Sequence, residues 1–491
     1  MTTRREFLTT ALAAAGAAAL PRPAAGADGV LVNDVHSKLN PTRVHSVVRP
    51  ASVDDLAAAV RAARAEGRAV SVAGGRHAMG GQQFGTGTVL VDTTGMRRVL
   101  DLDPERGEVE VEAGAQWPEL VGWLLDAQRG AARPWAIRQK QTGADRLSLG
   151  GAVGANVHGR GLAMKPFVGD VEAFTLVDAQ GEVRRVSRTR EAELFRAAVG
   201  GYGLFGLVAS VRLRLAPRRK LRRVVEVFDV EDLVPAFERR IAEGYLYGDF
   251  QYSIDRSSGD FLRKGVFSCY RPVDDATPVP DAQAELSAAD WGDLVWLAHV
   301  DPARAFTRYA GYYLTTSGQL YWSDTHQLGV YLDDYHAALD RRLGAAHPAT
   351  EMITEIYVPR AALVRFFDAA RRDFRGGEVP IVYGTVRLIE RDDETVLAWA
   401  REPWACVIFN LHVEHTVPGK ARAADAFRRL IDLAIALGGS YFPTYHRWAT
   451  RAQVEACHPR IRDLLALKRR YDPAERFQSD WYRHYRAMFS A

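Results

Sequence analysis

Ala73-Gly-Gly-Arg-His-Ala-Met-Gly-Gly81 and Ser148-Leu-Gly-Gly-Ala-Val-Gly-Ala-Asn-Val-His-Gly159 are two glycine-rich stretches that together constrain the fold of this chain. Roughly seventy residues lie between them, and each carries one histidine, His77 and His158. Residues without a Cβ reach φ > 0 and allow close approach to the backbone, so main-chain N–H groups can converge on a pyrophosphate that larger side chains would hold off. Ordinary turns explain either stretch alone equally well. The pair together points to a dinucleotide cradle.

Working outward, Ser52-Val-Asp-Asp55 has the spacing of a capping box with Asp in place of the usual Glu, and Leu56, Ala59, Val60 and Ala63 follow at helical intervals up to Gly67. Ala69 to Val72 reads as a buried strand running straight into the first glycine stretch, which puts that stretch on a strand-to-loop turn. Val89 to Asp92 and Val109 to Val111 read as short strands and Trp117 to Leu125 as a helix. After the second stretch come a strand from Val171 to Val177, a helix from Ala192 to Val199 and a third glycine turn, Gly200 to Gly206. Leu207, Ala209, Val211, Leu213 and Leu215 then alternate with Arg212 and Arg214 up to Pro217, as in a half-exposed strand, and a first domain is expected to end there. The basic run Arg218 to Arg223 reads as a solvated junction. Phe250 to Trp322 is rich in Tyr, Trp and Phe, which suits either plain core or the aromatic wall of a substrate lid.

The chain has 491 residues, 47% of them hydrophobic, enough for two or more buried cores. Thr3-Arg-Arg-Glu-Phe-Leu8, the alanine-rich run Ala11 to Leu20 and Ala25-Gly-Ala27 read as a twin-arginine export signal over residues 1–27. Its apolar run is too short to span a bilayer, so a periplasmic or secreted protein without a stable transmembrane anchor is expected. Twin-arginine export carries folded proteins, which suits a chain that loads a bulky cofactor before it leaves the cytoplasm. Three cysteines, Cys269, Cys406 and Cys457, give an odd count and no metal-like spacing, so neither a disulfide framework nor a metal site is expected. With a net charge of +4 and both signs interspersed, the composition argues against nucleic acid as a partner.

These motifs resemble the vanillyl-alcohol oxidase / p-cresol methylhydroxylase (PCMH-type) family of flavoproteins, from about Asn40 to Tyr485 and most strongly from Val70 to Pro217. The resemblance implies an α+β fold. A PCMH-type FAD-binding domain of two α/β subdomains would span residues 40–217, and a substrate or cap domain with an antiparallel sheet flanked by helices would span 218–430. Residues 431–491 would return to the FAD domain. It also implies that Gly74, Gly75, Arg76, His77, Ala78, Met79, Gly80 and Gln82 contact FAD on one side. Ser148, Gly150, Gly151, Gly154, Ala155, Asn156, His158, Gly159, Gly206 and Val208 would do so on the other. Gly75-Arg-His-Ala78 is similar to the alditol-oxidase motif whose His carries the flavin covalently. His77 stands at that position, with Ala78 where Ser or Thr is usual, and both a covalent and a non-covalent attachment stay open. Gly150 matches the position where relatives tune oxygen access, and Gly leaves room for O2.

On the substrate side, Ile353 to Arg360 and Val382 to Ile389 resemble the alditol- and lactone-oxidase segments that set a Glu and an Arg beside the reacting carbon. Arg387 matches the Arg, and Thr385 stands in the place of the Glu. Asn410-Leu-His-Val-Glu414 reads as the adjoining strand, where His412 and Glu414 face one way and are candidates for the acid/base pair; an exposed ion-paired strand is the alternative. His158 matches a histidine beside the substrate pocket. Gly438 to Arg447 and Lys468 to Ser479 resemble decaprenylphosphoryl-ribose 2'-oxidase, with Tyr445 at a pocket lysine and His446 or Arg447 left to balance charge on the reduced ring. The expectation is an exported FAD-dependent oxidase or dehydrogenase that oxidises a CH–OH group of a polyol, sugar or sugar lactone, passing electrons to O2 or another acceptor. A dehydrogenase of a glycosyl lipid phosphate and a flavin-loaded binding protein without turnover are the alternatives.

Overall fold

The computed structural model describes residues 29–330 and 332–490. The expected export signal, residues 1–27, lies outside the described residues. Ser52 caps the helix Val53–Ala65 by accepting from the N–H of Asp55 at 3.1 Å, and the Asp55 carboxylate reaches back to the N–H of Ala51 rather than of Ser52. The buried face of this helix is Leu56, Ala57, Val60 and Ala63, so Ala57 takes the core place expected of Ala59. It packs with Val70, Val89 and Val91 of a three-stranded parallel sheet ordered Ser46–Val48, Val89–Asp92, Val70–Ala73.

A second, antiparallel sheet runs in the order Val183–Ser187, Val171–Val177, Leu207–Pro217, Glu108–Glu112, Val99–Asp103, and Trp135–Ile137 joins it along Leu207–Pro217. Alternation along Leu207–Pro217 is as expected, with Leu207, Ala209, Val211, Leu213 and Leu215 buried and Arg214 exposed. The second glycine stretch is largely helical. Ser148 accepts from the Gly151 N–H and opens the helix Leu149–Ala155, which ends at Asn156 in the left-handed region (φ 48°).

Past Pro217 the chain enters an antiparallel sheet of eight strands in the order Leu320–Trp322, Lys220–Asp229, Lys264–Pro272, Tyr247–Tyr252, Ile381–Ile389, Trp404–Glu414, Ala349–Pro359, Ser440–Tyr441. Val230–Ala242, Leu363–Gly376 and Val417–Ile435 are helices that pack on this sheet or on one another. The fold class is α+β. The last segment comes back to the first sheet, where the Val70 N–H donates to Arg476 O at 2.7 Å, the Gln478 N–H donates to Val70 O at 2.9 Å, and Phe477 is buried against Leu56 and Val60. Burying one such aromatic stabilises the closure by roughly 1.5–3 kcal/mol.

The run Arg218 to Arg223 departs from its expectation as a solvated junction. Arg218 pairs with Asp324 at 2.7 Å over the Trp322 ring, and Arg223 is buried, with its Nε 2.8 Å from the Tyr270 hydroxyl. Alternation along Lys220–Asp229 turns Arg223 inward, while Arg218, between strands, is half-buried; aromatic faces and one carboxylate offset their loss of water. All three cysteines are buried thiols. No helix among the described residues is long and apolar enough to cross a membrane.

Candidate active site

A cavity of about 1420 Å3 lies between the glycine stretches and the eight-stranded sheet. The first stretch reaches it through backbone that only a tight bend allows: Arg76 sits at φ 57°, a conformation costly for a residue with a Cβ. Its guanidinium is held 3.1 Å from Asp92 Oδ2, and its carbonyl accepts from the Val35 N–H. The bend delivers His77 to the cavity wall, where burial, with His36 and Arg146 nearby, pushes its pKa down to about 3. At neutral pH this is an uncharged imidazole.

Gly74 explains how the two stretches meet. A Cβ there would stand 1.9 Å from the Ser148 hydroxyl, so glycine lets the first stretch close against the cap of the second. Gly151 and Gly154, one helical turn apart, line the cavity together with Gly150 and Ala155, and a Cβ on Gly154 would meet nothing nearer than 3.9 Å. Met79, Gln82, Gly206 and Val208 complete this side, with Gly75, Arg76 and Ala78. Gly80, Asn156, His158 and Gly159 do not line the cavity. Gly80 packs against the Thr444 carbonyl, Gly159 against that of Lys140, and Asn156 is wholly buried, donating to Asp392 at 3.0 Å and accepting from the Val168 N–H at 2.8 Å. None of the four lies within the helix Leu149–Ala155 whose glycines face the cavity: Gly80 sits in the loop after Ala73, and Asn156, His158 and Gly159 follow the helix end, where the chain turns into packed interior.

The opposite wall is a grid of cross-strand neighbours. Ile353 pairs with Asn410 and Asn410 with Tyr383; one step along, Glu355 pairs with Ile408 and Ile408 with Thr385; the next row ends at Arg387. Ile353, Asn410, Tyr383, Glu355, Ile408 and Arg387 all line the cavity. The carboxylate absent at Thr385 is therefore present in the same row, two strands away, as Glu355.

Glu355 is almost fully buried and tied on both oxygens. His158 Nε2 lies 2.8 Å from Oε2, the Tyr357 hydroxyl donates to Oε2 at 2.8 Å, and the Tyr445 hydroxyl donates to Oε1 at 2.7 Å. Burial pushes its pKa up, but His158, Arg387 and Tyr445 outweigh that and hold it below the usual carboxylate range. Tyr445 is driven far above a normal phenol by burial and by this carboxylate, so it stays protonated as a donor. Arg387 is buried, and its Nε and Nη1 have no partner within the protein.

Structure and expectation part at three further residues. His412 and Glu414 do share a strand face with Asn410 and Ile408, yet neither lines the cavity. His412 lies four residues beyond Ile408, about 13 Å along the strand. Parity was right and reach was not: Glu414 pairs with Arg422 at 2.9 Å, and His412 lies across from Glu351. His446 is buried against Phe427 and stacks on Trp448, away from the cavity, and burial holds its pKa well below normal. Glu355, Tyr383, Asn410 and Gln141 were missed. The available signal was the period of two from Ile353, which puts Glu355 on the same face.

Trp291, Tyr309, Tyr312, Tyr313, Tyr321 and Trp322 form the outer wall, so the aromatic segment lines the cavity as well as filling core. The cavity also presents polar atoms without partners in the protein: Gln82 Oε1, Gln83 Oε1, Gln141 Oε1, Arg160 Nε and Asn410 Oδ1, besides Arg387. Buried polar atoms are rarely left so unless a ligand meets them. A glycine-walled volume with this inventory fits FAD and a small polar substrate together.

Comparison with known proteins bears on the cofactor. Residues 44–187 match the FAD binding domain family. The chain is 31% identical over 178 residues to L-gulono-1,4-lactone dehydrogenase of Mycobacterium tuberculosis, which covers 36% of this chain and 39% of that protein. It is 30% identical over 198 residues to D-arabinono-1,4-lactone oxidase of Eremothecium gossypii, covering 39% and 35%. Cytokinin dehydrogenase 5 of Oryza sativa subsp. japonica is 32% identical over 184 residues, covering 35% and 33%. The matches span well under half the length of these relatives.

Proposed function

Since this chain carries a PCMH-type FAD binding domain over residues 44–187, similar in sequence to those of sugar-lactone oxidoreductases, we propose that it is an FAD-dependent oxidoreductase acting on a CH–OH group of a polyol, sugar or sugar lactone. The observation that carries the reading is the buried Glu355–Arg387 wall facing the glycine wall across one cavity. Bound FAD supplies the two-electron redox capacity that side chains lack.

The residues divide the remaining work. Arg387, with free N–H groups directed to the cavity, binds and orients the substrate oxygens and favours negative charge that develops nearby. Glu355 is ionised and accepts the hydroxyl proton, the role of a general base. His158 and Tyr357, bonded to its other oxygen, hold that carboxylate in place as positioning residues. Gln141, 3.4 Å from the Tyr445 hydroxyl, and Asn410 and Tyr383 beside them add donors and acceptors suited to a polyhydroxylated substrate. The aromatic outer wall keeps water from the reacting face. His77, uncharged and on the cavity wall, is the residue that would carry the flavin if the attachment is covalent.

Anaerobic mixing of the flavin-loaded protein with a panel of alditols, aldoses, aldonolactones and, as an outgroup, cytokinins tests the substrate class. Bleaching of the flavin's visible band by an alditol, aldose or lactone supports the proposal. Bleaching only by a cytokinin, or by none of the panel, refutes it. Export by the twin-arginine route is part of the same proposal. It rests on the Arg4-Arg5 signal, and replacing both arginines by lysine should keep the protein in the cytoplasm on cell fractionation.

A further inference from the structure

Away from the cavity wall, three histidines surround one buried carboxylate. Glu351 on Ala349–Pro359 and His412 on Trp404–Glu414 are direct cross-strand partners, and His299 comes to them from the last turn of the helix Ala288–Val300. The three atoms that face one another form a near-equilateral triangle. His299 Nε2 is 3.3 Å from His412 Nδ1, and each nitrogen is 3.4 Å from Glu351 Oε1. His336 Nδ1 lies 2.8 Å from the other oxygen, Oε2, which also accepts from the Tyr335 hydroxyl at 2.7 Å.

These lengths are long for charge-assisted hydrogen bonds, which run at about 2.7–2.9 Å. They match the edge of a tetrahedron around a zinc ion, where bonds of about 2.0–2.1 Å set ligand atoms about 3.3–3.4 Å apart. The tautomer argues the same way. His299 Nδ1 lies 2.9 Å from the Val295 carbonyl and donates to it, so in the neutral ring its Nε2 offers a lone pair to a carboxylate oxygen. In that form the lone pair and the carboxylate oxygen can meet one divalent ion placed between them. The outer contacts are those of ligating residues: a histidine fixed by a backbone carbonyl, and a carboxylate whose second oxygen is held by a hydroxyl. Glu351 is almost wholly buried, which makes an unbalanced charge there costly.

We propose that His299 Nε2, Glu351 Oε1 and His412 Nδ1 bind a divalent transition-metal ion of the zinc class, the donor set of imidazoles and carboxylate that such ions prefer. The site clamps the helix Ala288–Val300 to the sheet. That helix carries Trp291 into the cavity wall, so the ion fixes the wall from behind. Its three ligands come from segments more than fifty residues apart in sequence, which is why no spacing motif announces it. The proposal is independent of the flavin reading.

Metal analysis of the full flavin-loaded, tag-free protein tests it, after treatment with a chelator, incubation with one equivalent of zinc sulfate and gel filtration. About one zinc per chain is expected in the wild type, with a rise in Tm on zinc addition, and at least a tenfold lower zinc content in His412→Ala at unchanged flavin content. Should His412→Ala fail to fold, His299→Gln is read in the same way. Wild-type protein that retains no zinc, or a folded variant that retains as much as wild type, overturns the proposal.

Discussion

Glu355 is the residue whose chemistry is most exposed to test. The isosteric change Glu355→Gln keeps volume and removes the base, and kcat is expected to fall by about 10²–10⁴ with flavin content unchanged, measured by anaerobic flavin reduction. Arg387→Ala removes the orienting donors and should lower kcat/KM by at least about tenfold on the same substrate. His77→Ala separates attachment from fold. Acid-denatured wild type should carry flavin fluorescence with the polypeptide on a gel, and the variant should not; a dark wild-type band would exclude the covalent bond. Glu355 also sets an acid limit. Its carboxyl lies below its ordinary value of 4.5 in the folded protein, burial being outweighed by His158, Arg387 and Tyr445. Its contribution to stability is present above pH 4.5 and is lost as pH falls through the lower folded value. Thermal melts should show wild type weakening below pH 4.5, and Glu355→Gln, already less stable at neutral pH, losing less over that interval.

At the scale of elements, the glycines divide into those that let chain meet chain and those that make room for a ligand. Gly74→Ala would drive a Cβ into the Ser148 hydroxyl and should destabilise the protein by about 1–3 kcal/mol, lowering Tm whether or not FAD is bound. Gly154→Leu extends into the cavity from a position with no atom inside 3.9 Å, so the apoprotein's Tm should hold while FAD retention falls. Elements with a strong period were legible in the sequence. The alternation from Leu207 to Leu215 and the helix after Ser52 appear within one or two residues of where they were read. Strand parity was legible too, since Asn410, His412 and Glu414 do share a face. Which of them reach the cavity was not, because that depends on where neighbouring strands cross, and a sequence states no register.

Across the whole molecule, the cavity is assembled from parts that lie far apart in the chain: the turn after Ala73, the helix after Ser148, the strand that bears Glu355, and Thr444-Tyr445 near the C-terminus. Its glycine half was legible because close backbone approach leaves a compositional mark. Of the other half, Arg387 and Tyr445 were legible and Glu355 was not, since it is one acidic residue among 60 and it is singled out by cross-strand pairing with Ile408 and by the contacts from His158, Tyr357 and Tyr445. The same holds for the triangle of His299, Glu351 and His412, whose members meet only through the fold. The proposed chemistry requires FAD in the space between these two walls. The FAD-to-chain ratio of purified wild type beside Gly154→Leu, both prepared with riboflavin in excess, measures that occupancy. About one FAD per wild-type chain and little in the folded variant is expected; a colourless wild type, or a variant that keeps its full complement, would rule it out.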